Sequence, residues 1–343
     1  MSNDIVLRDP LAFRGRVEMR EFESELLRGN RVGDPNVRTV PVYLPPGFDK
    51  GQRYPVVFLL TGFTGNGHDF LETHPWRRGV VAEFDAAVAR NEAPPAILVM
   101  PDCFTKFGGS QYVNSTLLGP YEDHVVREFV PLIDATYPTL AGRRAVVGKS
   151  SGGFGALHLS MRHPDVFPVA ASISGDCHFE FCYGPDMLAC ARGLIPFGGD
   201  PAKFLAEFEA KPSLDGDNHV VLNILAMSAC YSPNLAAPLG FDLPMDPRTG
   251  ERIDAVWRRW LEFDPVIACE RHAAELRKLE LLHVECGLRD EYHLQLSARV
   301  LVAKLRELGL RVDHEEHPGS HRGISHRYGA VLPKLIAALT RER

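Results

Sequence analysis

Short apolar runs alternate along this chain with longer segments in which apolar residues recur every three or four positions. Continuous runs such as residues 55–60 and 96–100 are typical of parallel strands that are buried on both faces of a sheet. Prolines within and directly after residues 38–44 indicate peripheral or terminal strand positions. The predicted strands are residues 17–27, 38–44, 55–60, 96–100, 143–147, 167–174, 279–286 and 312–317.

Helical spacing occupies the intervals between these strands. Residues 76–90 and 122–137 each present one apolar face, and Pro131 predicts a kink in the second helix. Further helices are predicted after residue 153, near residues 294–307 and near residues 328–339. Repeated strand and helix units imply an α/β fold with a mostly parallel central sheet and helices on both faces. Residues 1–343 are expected to form a single domain.

The alternation breaks after the strand at residues 167–174. Residues 176–264 contain glycine, proline, three of the methionines and two of the tryptophans, without a strand of comparable strength. We expect this segment to be an insertion that lies beside the functional site and resembles a cap or lid. Its apolar residues could form a lid, a subunit contact or a satellite core, and the satellite core is the default expectation.

Ser150 lies in a sequence that suits a sharp turn from strand to helix. Residues 148–153 are GKSSGG, so a glycine stands two positions from Ser150 on each side. A predicted strand precedes this segment and a predicted helix follows it, which is the context of a nucleophile elbow. Glycines at 148 and 152 allow a close backbone approach that side chains would block. Ser150 is therefore the candidate nucleophile.

A serine nucleophile needs a base, and the base needs an acid that orients it. His321 follows the last predicted strand, where a loop can carry its imidazole over the serine, and is the candidate general base. Asp290 follows the preceding strand and is the candidate acid, with its neighbour Glu291 and with Asp176 as alternatives. The chain order of serine, acid and histidine is that of α/β-hydrolases.

Two other histidines, His314 and His317, lie close to His321. The sequence between them is HEEH, which lacks the H-E-x-x-H spacing of a zinc-binding helix. Residues three positions apart on a strand point to opposite faces, so the two imidazoles are expected to diverge and to be solvated. The sequence predicts no metal site and no cofactor.

Acyl transfer at a serine also needs two N–H donors for the developing oxyanion. The N–H of Ser151, at the start of the predicted helix, is one candidate. The N–H of Phe63 is the other, because residues 61–65 (TGFTG) follow a central strand and Gly62 permits close backbone approach. This segment lacks the lysine and the spacing of a phosphate-binding loop.

Composition and charge restrict the expected partners. The 343 residues are 45% hydrophobic and carry a formal net charge of −6, so neither nucleic acid nor an anionic membrane is expected as a partner. The first ten residues lack the pattern of a signal peptide, and no segment has that of a transmembrane helix, which favours a cytoplasmic location. Seven cysteines without a C-x-x-C pair fit reduced thiols. A homo-oligomer is compatible with the sequence.

With these residues placed, the chain resembles the esterase D family, also called the putative esterase family. Residues 40–48 (VPVYLPPGF) are similar to its N-terminal motif, and residues 59–63 (LLTGF) are similar to its oxyanion strand. Residues 257–260 (WRRW), before Asp264 and Pro265, are similar to a segment of bacterial members. The family includes S-formylglutathione hydrolases, feruloyl esterases, enterochelin esterase-like enzymes and antigen 85-like mycolyltransferases.

The resemblance implies an α/β-hydrolase fold and hydrolysis of a small ester or thioester through an acyl-enzyme on Ser150. It places Tyr112 and Tyr121 near the substrate pocket, and Lys149, beside the nucleophile, is a third candidate for substrate contact. Two residues depart from the family pattern, because Thr61 stands where many members have His or Asp and Lys149 is unusual at its position. Specificity for glutathione thioesters or mycolates is therefore not carried over.

Two other functions are compatible with the same residues. An acyltransferase would form the same acyl-enzyme and pass the acyl group to an alcohol. A non-catalytic binding protein would keep the fold, and its function would not need Ser150. Because a complete catalytic triad has no structural use, ester hydrolysis is the leading hypothesis.

Overall fold

The computed structural model describes residues 13–74, 76–210 and 216–341. The first ten residues, on which the expected cytoplasmic location partly depends, lie outside these ranges. Five residues of the predicted insertion, 211–215, also lie outside them.

An eight-stranded sheet forms the centre of the described residues. Its strands are β1 (Arg16–Glu23), β2 (Val37–Leu44), β3 (Tyr54–Leu60), β4 (Ile97–Val99), β5 (Thr139–Lys149), β6 (Val169–Ile173), β7 (Leu281–Arg289) and β8 (Asp313–Ser320). Their order across the sheet is β1-β2-β4-β3-β5-β6-β7-β8. The pairs β1–β2 and β2–β4 are antiparallel, and the other five pairs are parallel. The sheet is therefore mostly parallel, as predicted.

Alternate residues of the central strands face two separate cores. On β3, Val56, Phe58 and Leu60 belong to the core on one face of the sheet, and Val57 and Leu59 belong to the core on the other. All seven residues of β3 are buried. Strand geometry turns successive side chains to opposite faces, so a strand that is covered on both sides is apolar throughout.

Helices cover both faces of this sheet. They are α1 (Val80–Ala89), α2 (Tyr121–Asp123), α3 (Val130–Thr136), α4 (Ser151–Arg162), α5 (Phe179–Cys182), α6 (Gly184–Leu194), α7 (Pro201–Glu209), α8 (Gly216–Tyr231), α9 (Asp254–Leu261), α10 (Pro265–Arg271), α11 (Ala273–Leu276), α12 (Leu294–Glu307) and α13 (Arg327–Thr340). Residues of α4, α8 and α12 pack in the core on one face, and residues of α1 and α13 pack in the core on the other. The predicted helices on both faces are thus present.

Local turns shift two of the predicted boundaries. The helix predicted at residues 76–90 begins at Val80, because Arg77–Arg78 pairs with Thr73–His74 in a short hairpin. The strand predicted at residues 17–27 ends at Glu23, because residues 26–29 form a turn. In both cases the apolar pattern continues past the end of the element, and a local turn makes the element shorter than predicted.

A π-helical segment interrupts the helix predicted at residues 122–137. The residues His124–Phe129 are π-helical and connect α2 to α3. Pro131 lies in the first turn of α3, and it has no N–H to donate to an earlier carbonyl. Pro131 thus stands just after the change from π-helical to α-helical geometry, and the kink at this proline stays a prediction.

The segment predicted to be an insertion is helical and packs against the main core. It contains α5 to α9, and aromatic rings connect α5, α8 and α9 to one another and to α4. The ring of Tyr231 lies 5.4 Å from that of Phe179, 5.4 Å from that of Trp260 and 5.8 Å from that of Phe154. These residues share one core with the sheet, so the insertion does not form a separate satellite core.

All seven cysteines are buried, and none of them forms a disulfide. Burial raises the pKa of the Cys190 thiol to about 12, so this group stays protonated at neutral pH. Among the helices that the structure describes, none has both the length and the apolar character that crossing a bilayer requires.

Candidate active site

Ser150 occupies the turn between β5 and α4. Its backbone has φ 58° and ψ −126°, a conformation that residues other than glycine seldom adopt. The Ser150 N–H donates to the carbonyl of Ile173 on β6 at 3.0 Å, which holds the turn against the sheet. A strand, a strained turn and a helix therefore follow one another here, as in a nucleophile elbow.

Glycines make room for this turn. A β-carbon on Gly148 would lie 2.3 Å from the backbone of Gly152, and one on Gly152 would lie 2.2 Å from the carbonyl oxygen of Leu60. Both distances are far shorter than van der Waals contact in a packed interior. The glycine on each side of the serine is thus explained by the close approach of α4 to β3 and β5.

The loop after β8 brings His321 to the serine. The His321 Nε2 lies 3.0 Å from the Ser150 Oγ, and the His321 Nδ1 lies 2.8 Å from the Asp290 Oδ2. Asp290 and His321 are both buried. A hydroxyl, an imidazole and a carboxylate therefore form a continuous relay, which is the arrangement that lets a serine lose its proton to a base.

The three carboxyls that the sequence offers as the orienting acid have different positions. Asp290 contacts the imidazole, whereas Glu291 accepts the backbone N–H of His321 through Oε2 at 2.7 Å. The Asp176 Oδ2 accepts the hydroxyl of Tyr183 at 3.0 Å, and no hydrogen bond joins Asp176 to His321 in the described residues. Of the three, Asp290 is the one placed to orient the imidazole.

Hydrogen bonds keep Asp290 ionised in spite of its burial. Burial alone would raise the pKa of this carboxyl, but the hydrogen bonds with His321 and the Tyr292 N–H outweigh burial, and the pKa of Asp290 lies below its usual value. The Tyr292 N–H donates to the Asp290 Oδ1 at 3.0 Å, and the Tyr292 ring lies edge-on to the imidazole with centroids 4.7 Å apart. Tyr292 is not among the residues predicted from sequence, and its position two residues after the acid is the signal that could have identified it.

The loop after β3 lies directly beside Ser150. A β-carbon on Gly62 would be 3.3 Å from the Ser150 β-carbon, which brings the following residue, Phe63, close to the nucleophile. The Ser151 N–H belongs to the first turn of α4, where helix geometry leaves N–H groups without an intrahelical acceptor. Neither this N–H nor that of Phe63 has an acceptor among the described residues. The two predicted oxyanion donors are thus free and adjacent to the serine.

Thr61 and Tyr112 support this loop from the side of the core. The Tyr112 hydroxyl donates to the carbonyl of Thr61 at 2.9 Å, and the Thr61 Oγ1 donates to the carbonyl of Gly65 at 3.1 Å. A β-carbon on Gly155 of α4 would lie 2.3 Å from the Tyr112 ring, so the ring fills the space beside that glycine. The pair thereby fixes the backbone that carries one of the two oxyanion donors.

A cavity of about 200 Å³ opens at Ser150, and its walls come from two parts of the chain. The ends of the strands and the loops that follow them supply Gly62, Phe63, Lys149, Ser150, Ser151, Tyr292, His321 and Arg322. The segment 176–264 supplies Asp176, Cys182, Tyr183, Asp186, His219 and Asn223. The relay thus faces a pocket that suits a small acyl or alcohol group.

Of the three residues predicted to contact substrate, Lys149 lines this cavity and the two tyrosines do not. Tyr112 is buried beneath the loop after β3. Tyr121 is fully buried, and its hydroxyl accepts a hydrogen bond from Arg38 at 2.6 Å. Both tyrosines therefore differ from the prediction, because each hydroxyl has its partner inside the protein.

The segment 176–264 places two carboxyls in the cavity. The Asp186 Oδ2 accepts the side-chain amide of Asn223 at 3.3 Å. Burial raises the pKa of Asp176, and burial followed by the charge of Asp176 raises that of Asp186 to about 6. Asp186 and Asn223 are not among the predicted site residues, because no pattern in the sequence indicates which faces of α6 and α8 point to the cavity.

Asp186→Asn is expected to raise the free energy of unfolding at pH 7.5 by about 2 kcal/mol, because an ionised carboxyl is no longer buried. The pKa of Asp186 is higher in the folded than in the unfolded protein, so its cost to stability develops as the pH rises from about 4 through 6. Urea unfolding at pH 7.5 and pH 4 would measure the difference, which should disappear at the lower pH. Asp165→Asn, at an exposed carboxyl, is the matched control. An equal effect of Asp186→Asn at both pH values would contradict this explanation.

His283, Glu285 and Glu315 are close enough together to be considered as metal ligands, since their ligand atoms lie within 4.8 Å of one another. The guanidinium of Arg327 already donates to Glu285 at 2.8 and 2.9 Å and to Glu315 at 2.6 Å. A side chain thus supplies the positive charge that these carboxylates need. We therefore assign no metal ion to this cluster.

The histidines of β8 are less exposed than predicted. His317 is buried, its Nδ1 accepts the N–H of Gly319 at 3.2 Å, and His314 is half-buried. A β-carbon on Gly319 would lie 2.7 Å from the imidazole of His317, so the backbone after β8 covers this ring. The expectation of a solvated imidazole is wrong for His317 for this reason.

Comparison with known proteins adds sequence evidence to this geometry. Residues 35–341 match the model of a protein family described as Putative esterase. A stretch of 149 residues is 29% identical to an endo-1,4-beta-xylanase/feruloyl esterase of Xylanibacter ruminicola, covering 40% of this chain and 20% of that protein. Another stretch, of 156 residues, is 33% identical to a protein of Mycobacterium tuberculosis named as an esterase, covering 42% of this chain and 30% of that protein. The matches thus span less than a third of either relative.

Solved structures share the fold over nearly the whole chain. A ferulic acid esterase superposes with a TM-score of 0.59 at 20% identity, covering 95% of this chain and 98% of that chain. An S-formylglutathione hydrolase of Agrobacterium tumefaciens superposes with a TM-score of 0.57 at 16% identity, covering 96% and 97%. At such identities the likeness is one of fold, and it confirms the predicted α/β-hydrolase architecture.

Proposed function

The chain belongs to the Putative esterase family, and from this premise we propose that it is a serine carboxylic ester hydrolase. The observation that carries the proposal is the relay from Asp290 through His321 to Ser150, which ends in an open cavity beside two free N–H groups. An ester in that cavity would meet a nucleophile, a base and oxyanion donors together.

In the proposed acylation step, the Ser150 Oγ attacks the ester carbonyl. His321 takes the hydroxyl proton at Nε2, and Asp290 stabilises the imidazolium at Nδ1. The N–H groups of Ser151 and Phe63 hold the tetrahedral oxyanion, a contribution of about 3 kcal/mol for each donor in comparable sites. The imidazolium then gives its proton to the leaving alcohol or thiol, and the acyl group remains on Ser150.

Deacylation uses the same groups with water as the nucleophile. His321 takes a proton from water, the oxyanion forms again between the same donors, and Ser150 recovers its proton as the acid departs. An alcohol in place of water would give acyl transfer by the same route. We place hydrolysis first because matched relatives are named as esterases.

The proposed substrate class is a small ester or thioester with polar groups. Matched proteins are named for feruloyl esters and for S-formylglutathione, which are different acyl donors. The cavity of this chain is lined by charged and amide side chains such as Lys149, Asp186 and Asn223. This lining supports a polar substrate over a long alkyl ester.

A phosphonate directed at serine nucleophiles tests the proposed acyl-enzyme. The expected result is one phosphonate per chain, located on Ser150 by mass spectrometry, with hydrolysis of p-nitrophenyl acetate lost in proportion to labelling. Heat-unfolded protein is the control, because the relay activates the hydroxyl only when the chain is folded. Labelling at another residue, or full activity in fully labelled protein, would count against the proposal.

A further inference from the structure

Two cationic side chains adjoin the relay at the cavity. Lys149 precedes Ser150 at the end of β5, and Arg322 follows His321 in the loop after β8. Both side chains line the cavity. Because each cation is one residue away from a member of the relay, the backbone holds both residues beside the reacting groups.

Neither cation has a counter-ion in the described part of the chain. Among residues 13–74, 76–210 and 216–341, no carboxylate oxygen lies within 4.0 Å of the Lys149 ammonium or the Arg322 guanidinium. Asp290 and Glu291 attract Lys149 from a greater distance, but both are already engaged by His321. The donors of Lys149 and Arg322 are therefore available to a bound molecule.

The position of Lys149 is unfavourable for its charged form. It is half-buried, and burial followed by repulsion from Arg322 lowers the pKa of its ammonium. A partly desolvated cation without a counter-ion is unfavourable, and an anion bound between the two side chains would remove that penalty.

The remaining charges in the cavity would orient such an anion. Asp176 and Asp186 come from the segment 176–264, and neither forms an ion pair with a described residue. Ionised carboxyls repel an anion, whereas Lys149 and Arg322 attract it. An anionic group would therefore bind on the side of the cavity that the strand ends form, next to Lys149 and Arg322.

We propose that Lys149 and Arg322 form an anion subsite, and that the preferred substrate is an ester or thioester with a carboxylate in its acyl or alcohol part. This inference rests on the proposed esterase function. A charge-assisted contact of this kind is expected to favour the anionic ester by about 10- to 100-fold in kcat/KM over a neutral ester of the same shape. The preference should weaken as ionic strength rises.

Two matched pairs of esters test the subsite. Mono-p-nitrophenyl glutarate and its methyl ester place the carboxylate or its neutral counterpart in the acyl part, and 4-acetoxybenzoate and its methyl ester place it in the alcohol part. The quantity measured is the ratio of kcat/KM for the anionic and the neutral member, corrected for their uncatalysed rates. In the wild-type protein one pair should show the preference, and that pair identifies the side of the scissile bond on which the anion lies.

Substitutions then assign the preference to the two cations. Lys149→Met and Arg322→Met should each lower the ratio by about tenfold, and Lys149→Arg should retain most of it. Lys50→Met, which removes an exposed lysine that does not line the cavity, is the control and should keep the ratio. A merely structural role of Lys149 would lower kcat/KM for both members of a pair and leave the ratio unchanged.

The two proposals fail in different ways. If no ester of either pair is hydrolysed and Ser150 is not labelled by a phosphonate, the esterase function is wrong. If the neutral esters are hydrolysed but neither pair shows an anionic preference, or the preference survives both Lys149→Met and Arg322→Met, the esterase function stands and the anion subsite is overturned.

Discussion

Ser150→Ala should lower kcat for p-nitrophenyl acetate by about 10⁴-fold or more, because it removes the hydroxyl that forms the proposed acyl-enzyme. The Ser150 Oγ is the atom 3.0 Å from the His321 Nε2, and alanine removes it without changing the backbone. The residual rate would come from the oxyanion donors and from substrate binding alone. Stopped assays at high enzyme concentration would measure both rates, and KM should change much less than kcat.

Ser160→Ala is the matched control for this substitution. Ser160 lies on α4, the helix that follows Ser150, and is fully buried, with its hydroxyl donating to the Leu157 carbonyl at 3.2 Å. Its loss should cost about 1 kcal/mol of stability and leave kcat within about twofold. Turnover by Ser150→Ala comparable with that of Ser160→Ala would remove the basis for an acyl-enzyme and favour a non-catalytic role.

Asp290→Asn should lower kcat by about 10³- to 10⁴-fold, because an amide can hold the imidazole in the wrong tautomer and cannot stabilise the imidazolium. Asp290 contacts the His321 Nδ1 at 2.8 Å, and its pKa is held below the usual value by that contact. The amide is isosteric with the carboxyl, so the fold should be retained, which circular dichroism and urea unfolding would verify.

Glu291→Gln makes the same chemical change at the neighbouring residue. Glu291 accepts the backbone N–H of His321, and the glutamine carbonyl can accept it too. We expect kcat to fall by no more than about fivefold, since a neutral acceptor replaces a charged one. If Glu291→Gln proves as damaging as Asp290→Asn, the assignment of the orienting acid to Asp290 is wrong.

The parts of the fold that were predictable are those in which one local pattern has one physical meaning. The continuous apolar run of β3 has few explanations besides a strand covered on both faces, and the structure buries all seven of its residues. The glycines at 148 and 152 likewise indicate close backbone contact around Ser150. His321 and Asp290 could be located because each follows a predicted strand, and the carboxyl ends of parallel strands share one edge of a sheet.

The parts that were not predictable depend on contacts between distant segments. The local sequence does not distinguish Tyr112 and Tyr121 from tyrosines that contact a substrate. Their hydrogen bonds with Thr61 and Arg38, which are distant in the chain, show that both lie inside the protein. The same limit applies to Asp186, whose place in the cavity follows from how α6 packs against α8. Sequence periodicity describes one element at a time, and a cavity wall is a property of several elements together.

The relay and the opposite wall of its cavity belong to different stretches of the chain. Ser150, Asp290 and His321 stand at the ends of β5, β7 and β8, while Asp186 and Asn223 stand on α6 and α8. Mutations in the helices could therefore accumulate in a lineage without disturbing the reacting atoms. Paralogues that arose by gene duplication should accordingly diverge in the esters they accept sooner than in how they cleave them.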